Sequence, residues 1–177
     1  MRRLLTAFAA AALCATPAAA ALPVGAKAPD FVTTGAIGGK PFQLSLKRAL
    51  RKGPVVLYFY PKAFTKGCTL EARAFSEAAA DFKRAGAQVI GLSADDLPTL
   101  KRFSVEGCRS AFPVASASPA TIRAYDVAMP VVGKMVTMSN RTSFVIDRDQ
   151  RVRFVHSDLD WSGHVQKTLA AVRGLRH

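Results

Sequence analysis

"PVVLYFYPKAFTKGCTLEARAF", residues 54–75, decides how the rest of the chain is read. Its first eight residues form a continuous apolar, β-branched and aromatic run with a proline at each end, the pattern of a strand buried on both faces. From Thr69 onward the pattern turns helical: Phe75, Ala78, Ala79 and Phe82 fall on one face, and Gly86 follows as a stop near residue 85. Between strand and helix stands Cys68, with no second cysteine within four residues on either side. A helix start presents unpaired N–H groups and a partial positive charge, and both favour a thiolate over a thiol. An inert buried cysteine is the plainer alternative, but it gives no reason for Lys62, Thr65 and Lys66 to stand so near in the sequence.

Downstream, "AQVIGLSAD" (87–95) reads as a second buried strand, and Asp95 or Asp96 can cap a helix running through Leu97, Leu100 and Phe103 to about Gly107. "FPVAS" (112–116) is a third short strand and "PATIRAY" (119–125) a short helix. After a loop from Met129 to Asn140, "TSFVID" and "RVRFVHS" flank an Arg148-Asp149-Gln150 turn as a β-hairpin. Val165, Leu169 and Val172 recur at helical spacing and close the chain. Strand and helix in alternation, then a hairpin and a last helix, predict an α/β sandwich with a central mixed sheet flanked by helices. That order matches the thioredoxin-like arrangement.

Residues 1–20 read differently. Met1-Arg2-Arg3 is a short basic start, and "LLTAFAAAALCATPAAA" is an apolar run closing on small residues, the layout of a cleaved signal peptide. A membrane anchor is the alternative, but the run is short against the ~20 residues that cross a bilayer. The sequence therefore predicts a signal peptide over 1–20 and one domain over 21–177, periplasmic or secreted, with no stable membrane anchor. Cys14 falls in the leader, leaving Cys68 and Cys108. Two cysteines in a domain of this size suggest chemistry better than a stabilising framework. Without Arg2 and Arg3 the chain keeps 23 Lys and Arg against 12 Asp and Glu, a formal +11. The positive residues are scattered, without a run of five or aromatic interleaving, which reads as a basic soluble surface rather than a nucleic-acid site.

Pro61-x3-Thr65-x2-Cys68 carries a resemblance. The chain resembles the peroxiredoxin family, whose hallmark is P-x3-T/S-x2-C, and "YFYPKAFTKGCTLEARAF" looks most like its Q-type, or bacterioferritin-comigratory, branch. The likeness runs from about Pro29-Asp30-Phe31 to the last helix, with "NRTSFVIDRDQRV" in the expected place downstream. It implies that Cys68 attacks a hydroperoxide and becomes a sulfenic acid. Thr65 would hold the peroxide, Pro61 would wall off the pocket, and Arg141 would stabilise thiolate and departing oxygen. Taken singly, Thr65 could be a helix cap, Pro61 a strand stop and Arg141 a solvated charge. Glu71 fits the Q-type "CTxE" pattern, either buttressing the basic groups or simply acidic in a first helical turn.

Lowering a thiol pKa from about 8.5 to about 6 raises the thiolate fraction at neutral pH only about 30-fold, or ~2 kcal/mol. A lower pKa also weakens the nucleophile. Hydrogen-bond donors aimed at the breaking O–O bond must therefore supply the larger share.

Many Q-type members carry a resolving cysteine five residues after the peroxidatic one, and here that position is Arg73. Cys108 is the remaining candidate, and a Cys68–Cys108 disulfide would require local unwinding of the first helix. Otherwise the protein is a one-cysteine enzyme and Cys108 is structural. The resemblance implies a thioredoxin-like or low-molecular-weight thiol reductant, no cofactor and no metal, and it suggests a monomer. A disulfide oxidoreductase would want C-x-x-C, whereas residues 68–71 are Cys-Thr-Leu-Glu; a copper carrier would want a cysteine at 72, which is Ala. His156, His164 and His177 show no zinc spacing with either cysteine. A non-enzymatic exported binding protein is the rival of a different class.

Overall fold

The computed structural model describes residues 21–129 and 138–175. The expected leader, and residues 130–137 of the expected loop, lie outside them. Seven strands make one mixed sheet: β1 (Val32–Ile37), β2 (Lys40–Ser45), β3 (Val55–Phe59), β4 (Gln88–Ser93), β5 (Val114–Ser116), β8 (Thr142–Ile146) and β9 (Val152–Ser157), ordered β2-β1-β5-β4-β3-β8-β9. A two-stranded pair, β6 (Ala128–Met129) and β7 (Met138–Ser139), lies apart from it. β3 runs parallel to β4 and antiparallel to β8, so the segment quoted above lies inside the sheet, beside its central strand β4. All five residues of β3 are buried, as its unbroken apolar run requires.

Alternation along β3 divides the core in two. Val55, Leu57 and Phe59 join one apolar cluster with α1 (Leu46–Leu50) and α5 (Pro119–Ala124). Val56, Tyr58 and Tyr60 join the other, which takes Cys68, Ala72 and Phe75 from α2 (Lys66–Glu77) and Phe82 from α3 (Ala79–Arg84). Leu100 and Phe103 of α4 (Leu97–Glu106) and Val172 of α6 (His164–Arg173) complete it. The functional cysteine candidates both belong to this second cluster. The helix caps follow from short polar side chains. Asp96 accepts from the Thr99 amide at 2.9 Å to open α4, and Ser118 from the Thr121 amide at 3.1 Å to open α5.

Several features differ from the sequence expectation, among them helix α1 and the β6–β7 pair, which takes up the described ends of the expected 129–140 loop. The helix expected from Thr69 begins at Lys66, and Ala78 divides the stretch into α2 and α3. Helix propensity does not account for a break inside an alanine run. The β1–β2 hairpin was not anticipated, although Gly38-Gly39 carries its signal: φ is +55° and +77°, a turn in which both central residues need the left-handed region. The short 3₁₀ turn Trp161–Gly163 ahead of α6 is likewise new.

Candidate active site

The loop from β3 to α2 is built to present the start of a helix. Its Ala63 amide donates to Asp95 Oδ2 at 2.7 Å, and that carboxylate also accepts from Ser93 Oγ at 2.8 Å. Phe64 adopts φ +64°, uncommon for so bulky a residue. Its ring packs edge-on against Phe103 at 5.2 Å and under the Arg102 guanidinium at 5.0 Å. This reversal delivers the chain to Thr65, the extended N-cap of α2. Cys68 is then the third helical residue, 1% exposed and backed by Ala72 and Phe75. It therefore stands in the first turn of α2, where unpaired amides and the positive end of the helix dipole favour a negative charge.

Arg141 comes from the other side, just before β8. Its side chain is 6% exposed. Nη2 lies 3.5 Å from Cys68 Sγ, Nη1 donates to Glu71 Oε2, and Nε donates to the Leu159 carbonyl at 2.9 Å. Three partners on three edges fix the plane of the guanidinium. Glu71 is one turn beyond Cys68 and fully buried. Burial pushes its carboxyl up to about 8, against the pull of Arg141. Glu71 is thus the buried partner of Arg141 rather than a solvated first-turn acid.

Thr65 is exposed and its side chain makes no capping hydrogen bond among the described residues. The hydroxyl donates instead to the Lys62 carbonyl at 3.0 Å, which leaves its oxygen free to accept. Pro61 is half-buried at the end of β3. Cys108 is completely buried beyond α4, its amide donating to the Phe103 carbonyl at 3.0 Å. Desolvation pushes its thiol well above the ordinary cysteine range. Cys68 and Cys108 share one apolar cluster and both are free thiols. Among the described residues, no group of three or more His, Cys, Asp or Glu side chains is placed to hold a metal ion. No described helix is long and apolar enough to cross a membrane.

A family-level comparison fits this geometry: the AhpC/TSA family model matches residues 24–155. The chain belongs to the AhpC/TSA family, the peroxiredoxins. A peroxiredoxin of Mycobacterium tuberculosis strain H37Rv is 37% identical over 140 residues, 78% of this chain and 88% of that one. The chloroplastic peroxiredoxin Q of Oryza sativa subsp. japonica is 32% identical, with 90% of this chain and 77% of that one covered. Among solved structures, peroxidoxin BcpB from M. tuberculosis superposes with a TM-score of 0.77 at 34% identity, covering 87% of this chain and 98% of that one. Xanthomonas campestris peroxiredoxin Q gives 0.68 at 31%, covering 79% and 89%. The Q-type, bacterioferritin-comigratory resemblance and the thioredoxin-like fold are therefore both established, and the peroxiredoxin is a thiol-dependent peroxidase.

Several residues of this peroxiredoxin site escaped the sequence reading. His164 is fully buried, with Nδ1 2.8 Å from Ser143 Oγ and 3.7 Å from Glu71 Oε1, and Nε2 3.0 Å from the Asp158 carbonyl. Burial is the main cause that pushes its pKa down to about 4. In the sequence the histidines show only a lack of zinc spacing, which gives no sign of this contact. Gly67 has a packing role: a Cβ there would stand 3.1 Å from Arg141 Nη2 and 3.9 Å from Trp161 Cδ1.

Proposed function

We propose that the chain is an exported peroxidase that reduces hydrogen peroxide and organic hydroperoxides through Cys68. The observation that carries this is the 3.5 Å approach of Arg141 Nη2 to Cys68 Sγ at a helix start. The thiolate attacks the terminal oxygen of R–O–O–H, an S–O bond forms as the O–O bond breaks, and Cys–S–OH and RO⁻ result. RO⁻ then takes a proton from solvent. Sulfur is oxidised and the peroxide reduced. Thr65, whose hydroxyl proton is engaged by the Lys62 carbonyl, accepts a hydrogen bond from the hydroperoxide O–H and holds the substrate, the proton staying on the oxygen that is transferred to sulfur. Arg141 donates toward the departing oxygen, where charge develops. Pro61 covers the pocket and limits water.

Cys108 then attacks the sulfenic sulfur, water leaves, and a Cys68–Cys108 disulfide forms. Because both sulfurs are buried, α2 must unwind locally first. A thioredoxin-like protein or a small thiol reduces the disulfide. Complete burial of Cys108 also supports a second reading, in which an external thiol resolves Cys68 directly and Cys108 is structural. The leader-like sequence of residues 1–20 supports a periplasmic or secreted location, and the Q-type resemblance supports a monomer. Peptide mass analysis under non-reducing conditions, after one equivalent of hydrogen peroxide, tests the cycle. The disulfide is expected in the parent and lost in Cys108→Ser; an oxidised Cys68 with an untouched Cys108 would favour the one-cysteine reading.

A further inference from the structure

Behind Arg141 the site continues as a buried polar chain that the peroxidase chemistry above does not use. Glu71 offers Oε2 to Arg141, but its Oε1 is buried and finds no hydrogen-bond partner among the described residues. That oxygen faces Nδ1 of His164 at 3.7 Å, longer than a hydrogen bond. The tautomer of His164 can be read from its surroundings. A carbonyl only accepts, so Nε2, 3.0 Å from the Asp158 carbonyl, carries a hydrogen. In the neutral ring Nδ1 is then bare and accepts from the Ser143 hydroxyl at 2.8 Å. An ionised Glu71 would turn an unsatisfied carboxylate oxygen toward that lone pair, a costly arrangement in a buried site. A proton on Oε1 removes both the unsatisfied charge and the repulsion.

We propose that Glu71 works as a neutral acid, with its proton on Oε1 on the side facing His164, so that the whole charge of Arg141 is left to the Cys68 thiolate. Charge counting supports this. With Glu71 neutral, Arg141 and the thiolate cancel; with Glu71 ionised, the same buried cluster carries a net negative charge that opposes the thiolate. His164 is a positioning residue, since it touches Glu71 and neither sulfur nor substrate. The charged and titratable groups around the pair are consistent with that assignment. Arg141 faces Glu71 and also reaches Cys68, with the Tyr58 hydroxyl in electrostatic range of Glu71 and Cys68. His156 stacks obliquely on His164 at 4.6 Å, and Asp158, Asp160 and Arg141 lie within electrostatic range of that ring. Burial disfavours the charged form of both members, pushing Glu71 up to about 8 and His164 down to about 4, so at neutral pH the carboxyl keeps the proton and the ring does not.

The inference rests on Cys68 being the sulfur that meets peroxide. The test is the rate of Cys68 oxidation by hydrogen peroxide, corrected for thiolate fraction, from about pH 6 to about pH 9.5 in the parent and Glu71→Gln. The parent rate should fall about tenfold through a midpoint near that of Glu71, whereas the permanently neutral glutamine should remove the fall. Replacing His164 with Leu removes Nδ1 and should move the midpoint by about one pH unit. A midpoint that stays put overturns the part given to His164. Nitrogen NMR of the unmodified protein, labelled at histidine, supplies a readout independent of any variant. The His164 Nδ1 resonance should shift with the same midpoint, and a resonance insensitive to pH between about 6 and about 9 overturns the proposal. Superimposable parent and Glu71→Gln profiles overturn it too, while leaving Cys68 as the reacting sulfur. Failure of Cys68 to oxidise in the parent at any pH would instead bring down that assignment and this inference together.

Discussion

Arg141 Nη2 stands 3.5 Å from Cys68 Sγ although 73 positions separate the two residues in the chain. The contact exists because β3 and β8 are antiparallel neighbours, so Arg141, entering β8, lies beside the end of β3, from which a short loop leads to Cys68 in the first turn of α2. The sheet register therefore sets the distance between guanidinium and sulfur, and substitutions that shift either partner should act on rate before they act on stability.

Gly67 tests that separation. A methyl group there would press on Arg141 Nη2 at 3.1 Å. Glycine also weakens a helix by about 0.5–1 kcal/mol relative to alanine. Gly67→Ala should therefore leave the melting temperature equal or higher, while peroxide oxidation of Cys68 slows about tenfold. Calorimetry and rapid-quench kinetics on the same sample check both halves. A slower rate accompanied by a lower melting temperature would point to general damage instead.

Thr65→Val removes the hydroxyl oxygen proposed to accept from the substrate. The side chain is exposed and makes no capping bond among the described residues, so stability should change by less than about 0.5 kcal/mol. The second-order rate constant for peroxide should fall about 10- to 100-fold, and Thr65→Ser should restore most of it. Equal rates in the parent and valine proteins would remove Thr65 from the site.

Stability should also report the buried pair. Glu71 rises from 4.5 to about 8 on folding, so the folded state binds the extra proton between those values and loses stability as pH climbs through them. His164 falls from 6.5 to about 4, so its contribution is present above 6.5 and is lost as pH drops toward 4. The two trends oppose each other between 4.5 and 6.5, and Glu71 acts alone from 6.5 to about 8. Denaturant midpoints should decline over that upper window in the parent and stay level in Glu71→Gln. A flat parent curve would contradict the shift.

Sequence pattern revealed the elements marked by an unbroken apolar run or by a cap and a regular apolar face. β3 announced itself through eight apolar residues, and α4 through Asp96, its periodicity and Gly107. The β1–β2 hairpin stayed hidden because its strands are half exposed and weakly alternating, leaving only Gly38-Gly39 as a marker. At the site, the family's P-x3-T-x2-C and CTxE patterns drew Pro61, Thr65 and Glu71 together around Cys68, all within one loop and the start of one helix. Arg141 needed the family pattern, because no local rule links positions so far apart. His164 and Ser143 were invisible for a physical reason: their importance comes from burial against Glu71, and burial is a tertiary property.

The most direct test is the second-order rate constant for Cys68 oxidation by hydrogen peroxide in Arg141→Ala, measured where the thiolate is fully formed in both proteins. With ionisation equalised, loss of the guanidinium should still slow the reaction by about 10²- to 10³-fold, because its donors act on the breaking O–O bond. Equal rates under those conditions would contradict the claim that Arg141 does more than hold a charge beside the sulfur.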